Sequence, residues 1–162
     1  MIRCATLTDA AAIAHIYNHY IEHTVITFEE QPLSAEQMAG RIKDNAKLDL
    51  QWLVFVEHGQ ILGYAYAGIW KDRSAYRYTR EITVYLAADA TGRGIGSALY
   101  QVLLKQLRDA GIHTVLACIA MPNAPSVSLH EKFGMKKVAH FSQVGFKFDQ
   151  WLDVGYWQME LA

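Results

Sequence analysis

Six consecutive residues, Gly92-Arg93-Gly94-Ile95-Gly96-Ser97, stand between an alternating run, Ile82-Thr-Val-Tyr-Leu86, and an amphipathic stretch that begins at Ile95. Glycines crowded into a strand-to-helix turn let several backbone N–H groups approach one ligand without intervening Cβ atoms, and the N-terminus of a helix favours anions. The chemistry this suggests is a pyrophosphate cradle for a nucleotide-bearing cofactor. A merely tight turn is the bland alternative. A dinucleotide site would want a third glycine where Ser97 stands and an acidic residue closing a second strand; Asp109 is the nearest and falls at the end of the helix. A triphosphate site would need Gly-Lys-Ser/Thr closing the loop, and the chain has no such triplet.

Other reactive side chains are less telling. His15, His19 and His23 have i, i+4 spacing, which suits metal ligands. Their stripe lies roughly 130° from the centre of that helix's apolar face at 100° per residue, so a solvated face is expected and no metal site. Cys4 and Cys118 both lie in strand-like apolar runs and are expected to be buried free thiols.

The elements that must position the glycine turn follow from periodicity. A strand at Ile2 to Ala5 precedes a helix with its apolar stripe at Ile13, Ile16, Tyr17, Tyr20 and Ile21. Ser34 and Gln37 have capping-box spacing, which predicts a second helix to about Asn45. The intervening loop, Thr24 to Pro32, carries Phe28. Trp52 to Glu57 and Ile61 to Ile69 read as a hairpin across His58-Gly59-Gln60, and Thr79 to Leu86 as the next strand. The helix after the glycine turn aligns Ile95, Leu99, Val102, Leu103 and Leu107 and stops at Gly111. Thr114 to Ile119, apolar on both faces, is expected to be a central strand. A helix from about Ser126 to Phe133 and strands at Lys136 to Gln143 and Asp153 to Leu161 complete the pass. The order β-α-α-β-β-β-α-β-α-β-β predicts an α/β (α+β) fold, a mixed sheet with helices on its faces, rather than an alternating parallel one.

The 162 residues suit one domain, 1–162, with a well-filled core. Fifteen basic against 16 acidic residues give a net charge of −1, which offers no global field for nucleic acid or an anionic membrane. No apolar run approaches the ~20 residues that span a bilayer, and Met-Ile-Arg-Cys-Ala lacks the apolar core of a secretion signal. A cytoplasmic protein is the expectation.

Five ordered blocks carry a resemblance that runs nearly end to end: Trp70 to Tyr76, Glu81 to Leu86, Gly92 to Tyr100, Asn123 to Gly134 and Gly145 to Gln158. In these the chain resembles the GCN5-related N-acetyltransferases, and within them the phosphinothricin and methionine sulfoximine acetyltransferases. The resemblance implies a mostly antiparallel twisted sheet flanked by helices, acetyl-coenzyme A as acetyl donor, a small amino-acid-like acceptor and a homodimer. It implies that Val84, Tyr85 and Leu86 offer backbone groups to the pantetheine and the acetyl carbonyl, and that Gly92, Arg93, Gly94, Ile95, Gly96 and Ser97 hold the pyrophosphate. Thr91 stands where the superfamily usually has Gln or Arg, so its hydroxyl and the charge of Arg93 would serve instead.

By the same resemblance Glu81 is the general base and His130, where many relatives have tyrosine, is an acid, a second base or a water holder. Asn123 would bond the pantetheine arm, and Ser126 would cap its helix near the cofactor. Phe28, Arg73, the Ser74-Ala75-Tyr76 backbone and Lys147 would clasp the acceptor's polar head. Arg77 and Arg80 differ from some relatives. Direct transfer is expected, since no residue is placed as an acyl-carrying nucleophile. Transfer to another amine, or a coenzyme A binding sensor without turnover, remain the alternatives.

Overall fold

A computed structural model describes residues 1–161. Seven strands form one sheet in the order β1-β2-β3-β4-β5-β7-β6. They are β1 (Ile2–Cys4), β2 (Leu53–Glu57), β3 (Gln60–Ile69), β4 (Thr79–Leu86), β5 (Thr114–Met121), β6 (Lys136–Lys147) and β7 (Gln150–Glu160). Four helices lie on the two faces: α1 (Ala10–His23), α2 (Ala35–Ala46), α3 (Ile95–Asp109) and α4 (Ala124–Lys132). The fold is the expected mixed α/β one, antiparallel at every pair but β4 with β5.

Alternation along the strands divides the core in two. Leu53, Ala65, Ala67, Ile82 and Val115 pack under α3. Their neighbours of opposite parity, Trp52, Val54 and Tyr64, pack under α1 and α2 with Ile13, Ile16, Ile21, Met38 and Ile42. The capping box forms as its spacing predicts: the Gln37 N–H donates to Ser34 Oγ at 3.1 Å, and the Ser34 N–H to Gln37 Oε1 at 2.9 Å.

Three sequence expectations are corrected. Helix α4 starts at Ala124 rather than Ser126, because Asn123 is its cap and accepts from the Ser126 N–H at 3.3 Å. The last two strands are longer than expected and form one hairpin. Its turn residues Phe148 and Asp149 both have positive φ, 52° and 57°, without the glycine that usually marks such a turn. A register shift between Phe141 and Gly145 breaks the alternation that would have carried β6 past Gln143. The cysteines are free but exposed, not buried: Cys4 lies on the edge strand, and Cys118 on the stretch of β5 that α1 and α2 leave uncovered.

Candidate active site

Parallel pairing of β4 with β5 covers only Thr79, Arg80 and Glu81 against Thr114, Val115 and Leu116. Beyond Glu81 the two strands part, although β4 stays paired with β3 as far as Leu86. Backbone groups on the β5 side of Ile82 to Leu86 are thereby released from the ladder and need other partners, from side chains, water or a ligand. A cavity of about 200 Å³ occupies the fork. It is lined by Glu81, Val84 and Tyr85 from β4, Cys118 from β5, and Asn123, Ser126 and His130 from the start of α4 and its body.

Glu81 sits at the apex, the last residue of β4 paired with β5. Burial raises its carboxyl above the usual range, and Lys71 opposes that. A carboxylate held this way is a stronger proton acceptor than one in water. Leu86 offers less than expected, since its carbonyl already accepts from the Tyr20 hydroxyl. The Tyr85 ring packs among Tyr17, Tyr20 and Tyr64, at centroid distances of 5.1, 5.1 and 5.8 Å, so only its backbone is available.

His130 is buried. Its Nδ1 lies 2.7 Å from the Ser126 carbonyl, which can only accept, so Nδ1 carries the proton. Nε2 is then the acceptor for the Tyr100 hydroxyl at 2.8 Å. Burial lowers the imidazole's pKa, with the Ser126 carbonyl opposing, which favours the neutral form of the ring. Tyr100 also lines the cavity. It is the polar group that sequence reading passed over, because at its place in α3 it continues the apolar face.

At the glycine turn, Gly92 and Gly94 have φ of 74° and 79°, and Gly94 caps α3 without any side-chain bond. The first N–H groups of α3 are therefore open to an anion. Gly96 serves a different purpose: a Cβ there would stand 3.3 Å from the Leu129 side chain, so its absence lets α3 and α4 approach. The Ile95 side chain is in the core and contributes only backbone. Arg93, expected on a phosphate, is paired with Glu57 at 2.8 Å. A different cation reaches the turn: Lys132 Nζ donates to Ser97 Oγ at 3.1 Å. Its place in the last turn of α4 hid this from the sequence.

The residues expected around an acceptor fall into two groups. Arg73, Ser74, Ala75 and Tyr76 form an exposed short turn before β4. Tyr76 and Lys71 line a groove of about 550 Å³ with Trp70, Phe141 and Tyr156. Phe28 is placed by the loop before α2, and Ile26 of that loop lines the cavity at the fork. Lys147 does not reach either space: it is buried, and its Nζ donates to the Thr27 carbonyl at 2.8 Å. It holds the loop from beneath. Tyr17 hydrogen-bonds both Thr27 and Glu29, and Arg41 grips Glu29 through both nitrogens at 2.9 and 2.6 Å.

Comparisons with known proteins show the family and the fold. Residues 2–155 match the acetyltransferase (GNAT) domain family. The chain is 41% identical to a phosphinothricin N-acetyltransferase of Streptomyces viridochromogenes over 98% of its length and 86% of that protein's. It is 35% identical to an L-methionine sulfoximine/L-methionine sulfone acetyltransferase of Salmonella typhimurium, over 99% and 94% of the two chains. A Salmonella typhimurium acetyltransferase solved with its cofactor acetyl-CoA superimposes with a TM-score of 0.96 at 34% identity, covering 100% of this chain and 94% of that one. The chain belongs to the GNAT acetyltransferase family, and it is an acyltransferase whose relatives are named N-acetyltransferases.

Proposed function

We propose that this chain transfers acetyl from acetyl-coenzyme A to the α-amino group of a small amino acid with a polar tetrahedral side-chain head, such as phosphinothricin, methionine sulfoximine or methionine sulfone. The observation that carries the reading is Glu81 at the apex of the β4–β5 fork, beside strand edges released from pairing.

The residues fit the donor. The uncapped start of α3 and Lys132 suit the pyrophosphate, and Asn123 and the free edge of β4 suit the pantetheine amides. Glu81 takes a proton from the arriving ammonium, directly or through one water, leaving a neutral amine to attack the thioester. An N–H among Val84, Tyr85 and Leu86 stabilises the negative charge that develops on the carbonyl oxygen. As the C–S bond breaks, the nitrogen's remaining extra proton passes to the thiolate. In the Tyr100–His130 pair, the imidazole positions the hydroxyl at that end of the cavity.

On the acceptor side, Phe28, Arg73 and the Ser74-Ala75-Tyr76 backbone surround the head group, and Lys147 acts through the Thr27 carbonyl by fixing the Phe28 loop. The reading is of one cytoplasmic domain that works as a homodimer. Exposed Phe146 and Trp151, paired across the β6–β7 hairpin with ring centroids 4.8 Å apart, supply an apolar patch for the second copy.

Thiol release from acetyl-coenzyme A across a panel of amino-acid analogues, polyamines and aminoglycosides tests the reading. Release with the tetrahedral-headed amino acids is expected. Preference for another amine, or tight donor binding with no release, would overturn it.

A further inference from the structure

Phe28 stands between two residues of one closed hydrogen-bond ring. The Glu29 carboxylate can only accept, so the Tyr17 hydroxyl donates to it. The Tyr17 oxygen is then left to accept from the Thr27 hydroxyl at 2.7 Å. Thr27 Oγ1 in turn accepts from the Glu29 N–H at 3.3 Å. Arg41 of α2 clamps this ring from outside, with two bonds to the Glu29 carboxylate at 2.6 and 2.9 Å. Its guanidinium holds the carboxyl below the usual range against the opposing effect of burial, which favours the ionised pair.

The ends of the loop are tied to α1: Thr24 Oγ1 donates to the Tyr20 carbonyl at 2.7 Å, and Leu33 exchanges two bonds with the Asn18 amide at 2.8 and 2.9 Å. Between those ends the bonds from α1, α2 and β6 converge on Thr27 and Glu29. The backbone that carries Phe28 is therefore fixed from both sides. Phe28 lies over Gly145, and Ile26 lines the cavity at the fork. Glu29 and Arg41 line neither that cavity nor the groove beside Lys71.

We propose that Arg41 is a positioning residue for the acceptor: by clamping Glu29 it holds the Tyr17–Thr27–Glu29 ring, and with it Ile26 and Phe28, in the shape the acceptor meets. This rests on the reading of the chain as an N-acetyltransferase whose acceptor borders Phe28. Without Arg41, a half-buried carboxylate keeps only the Tyr17 hydroxyl and the Thr27 ring loses its outer anchor, so water competes for Glu29 and the loop loosens. The donor meets β4 and the start of α3, which are other elements, so its binding is independent of the pair.

The test is steady-state kinetics of the full chain with the best acceptor among phosphinothricin, methionine sulfoximine and methionine sulfone, beside amide hydrogen exchange of residues 24–32. Both side chains of the pair are partly exposed, so the variants are expected to fold. Arg41→Gln should raise acceptor KM roughly three- to tenfold at unchanged KM for acetyl-coenzyme A, and speed exchange in the loop. Glu29→Gln should do the same, and the double variant should be no worse than either, because all three lose one interaction. Arg41→Lys keeps the charge without the planar fork and should recover part of the loss. Unchanged acceptor KM, unchanged loop exchange, both KM values rising together, or summed effects in the double variant would overturn the positioning role alone. An unaltered chain that releases no thiol with any of these acceptors would overturn the proposed function and the positioning role together.

Discussion

The Tyr100 hydroxyl donates to His130 Nε2 across 2.8 Å, while His130 Nδ1 is committed to the Ser126 carbonyl. Both ring nitrogens of a buried imidazole are thus filled from within the protein. Tyr100→Phe removes the donor and leaves Nε2 unmet, which costs roughly 1–3 kcal/mol of stability. If the hydroxyl also serves the leaving thiolate, kcat falls with little change in KM for acetyl-coenzyme A. Thermal unfolding and steady-state kinetics on one preparation separate the two effects: lost stability with unchanged kcat would make the pair structural only.

Glu81→Gln should lower turnover by about 10²–10⁴-fold while leaving donor binding intact. The wild-type rate should rise with pH through a value above the ordinary carboxylate range, because burial holds Glu81 protonated longer. The stability effect has the opposite sense. A carboxyl whose folded pKa is raised favours the folded state while protonated, below its unfolded pKa, and loses that contribution as pH rises through the folded pKa. Chemical denaturation should therefore find Glu81→Gln the more stable protein near neutrality, with the difference fading in acid.

Asp9 gives the contrasting case. The Arg3 guanidinium, at 2.7 and 2.9 Å, and the Thr6 N–H, against the opposing effect of burial, hold its carboxyl down to about 2. This contribution is complete above the unfolded carboxylate range and is lost as pH falls through about 2. Allowing for the partly exposed Arg3, Asp9→Asn should cost roughly 1–2 kcal/mol at neutral pH. Urea titrations of both proteins should converge toward pH 2.

Gly145→Ala tests the acceptor loop. A Cβ at Gly145 would lie 2.3 Å from Cε2 of Phe28, closer than real contacts allow, so the ring must leave and carry its loop with it. Acceptor KM should rise several-fold at unchanged donor KM. Replacing Phe28 with Leu in the same chain, which frees the space, should recover part of the loss. An unchanged acceptor KM in Gly145→Ala would remove Phe28 from the acceptor site.

At the glycine turn, Lys132→Ala should raise KM for acetyl-coenzyme A more than Arg93→Ala, because Lys132 reaches Ser97 while Arg93 is held by Glu57. A single exposed phosphate contact is worth roughly 1 kcal/mol or a little more, a several-fold change in KM. The reverse order would restore Arg93 to the phosphates.

Local structure was legible wherever the responsible interactions were local. The stripe of α1, the Ser34–Gln37 box, the hairpin at His58-Gly59 and the start of α3 at Ile95 each depend on residues a few positions apart. The same holds for the five blocks that mark the family, whose side-chain identities survive without reference to contacts. Element ends were lost where the usual signal was missing, as at Phe148 and Asp149, which adopt positive φ without glycine.

The partnerships within the site belong to another scale. Tyr100 meets His130, Arg93 turns to Glu57, Lys147 reaches back to Thr27, and Phe28 lies on Gly145, all across long stretches of chain. A cation's sequence neighbours do not say which oxygen it will find. Nor does a strand's alternation say where its partner will leave it, and the departure of β5 from β4 beyond Glu81 is what opens the cavity. The sequence by itself determined the family, the elements and the residue types available for acetyl transfer. Only tertiary structure decided which of them meet, because hydrogen-bond and ion-pair partners are set by packing in space rather than by order along the chain.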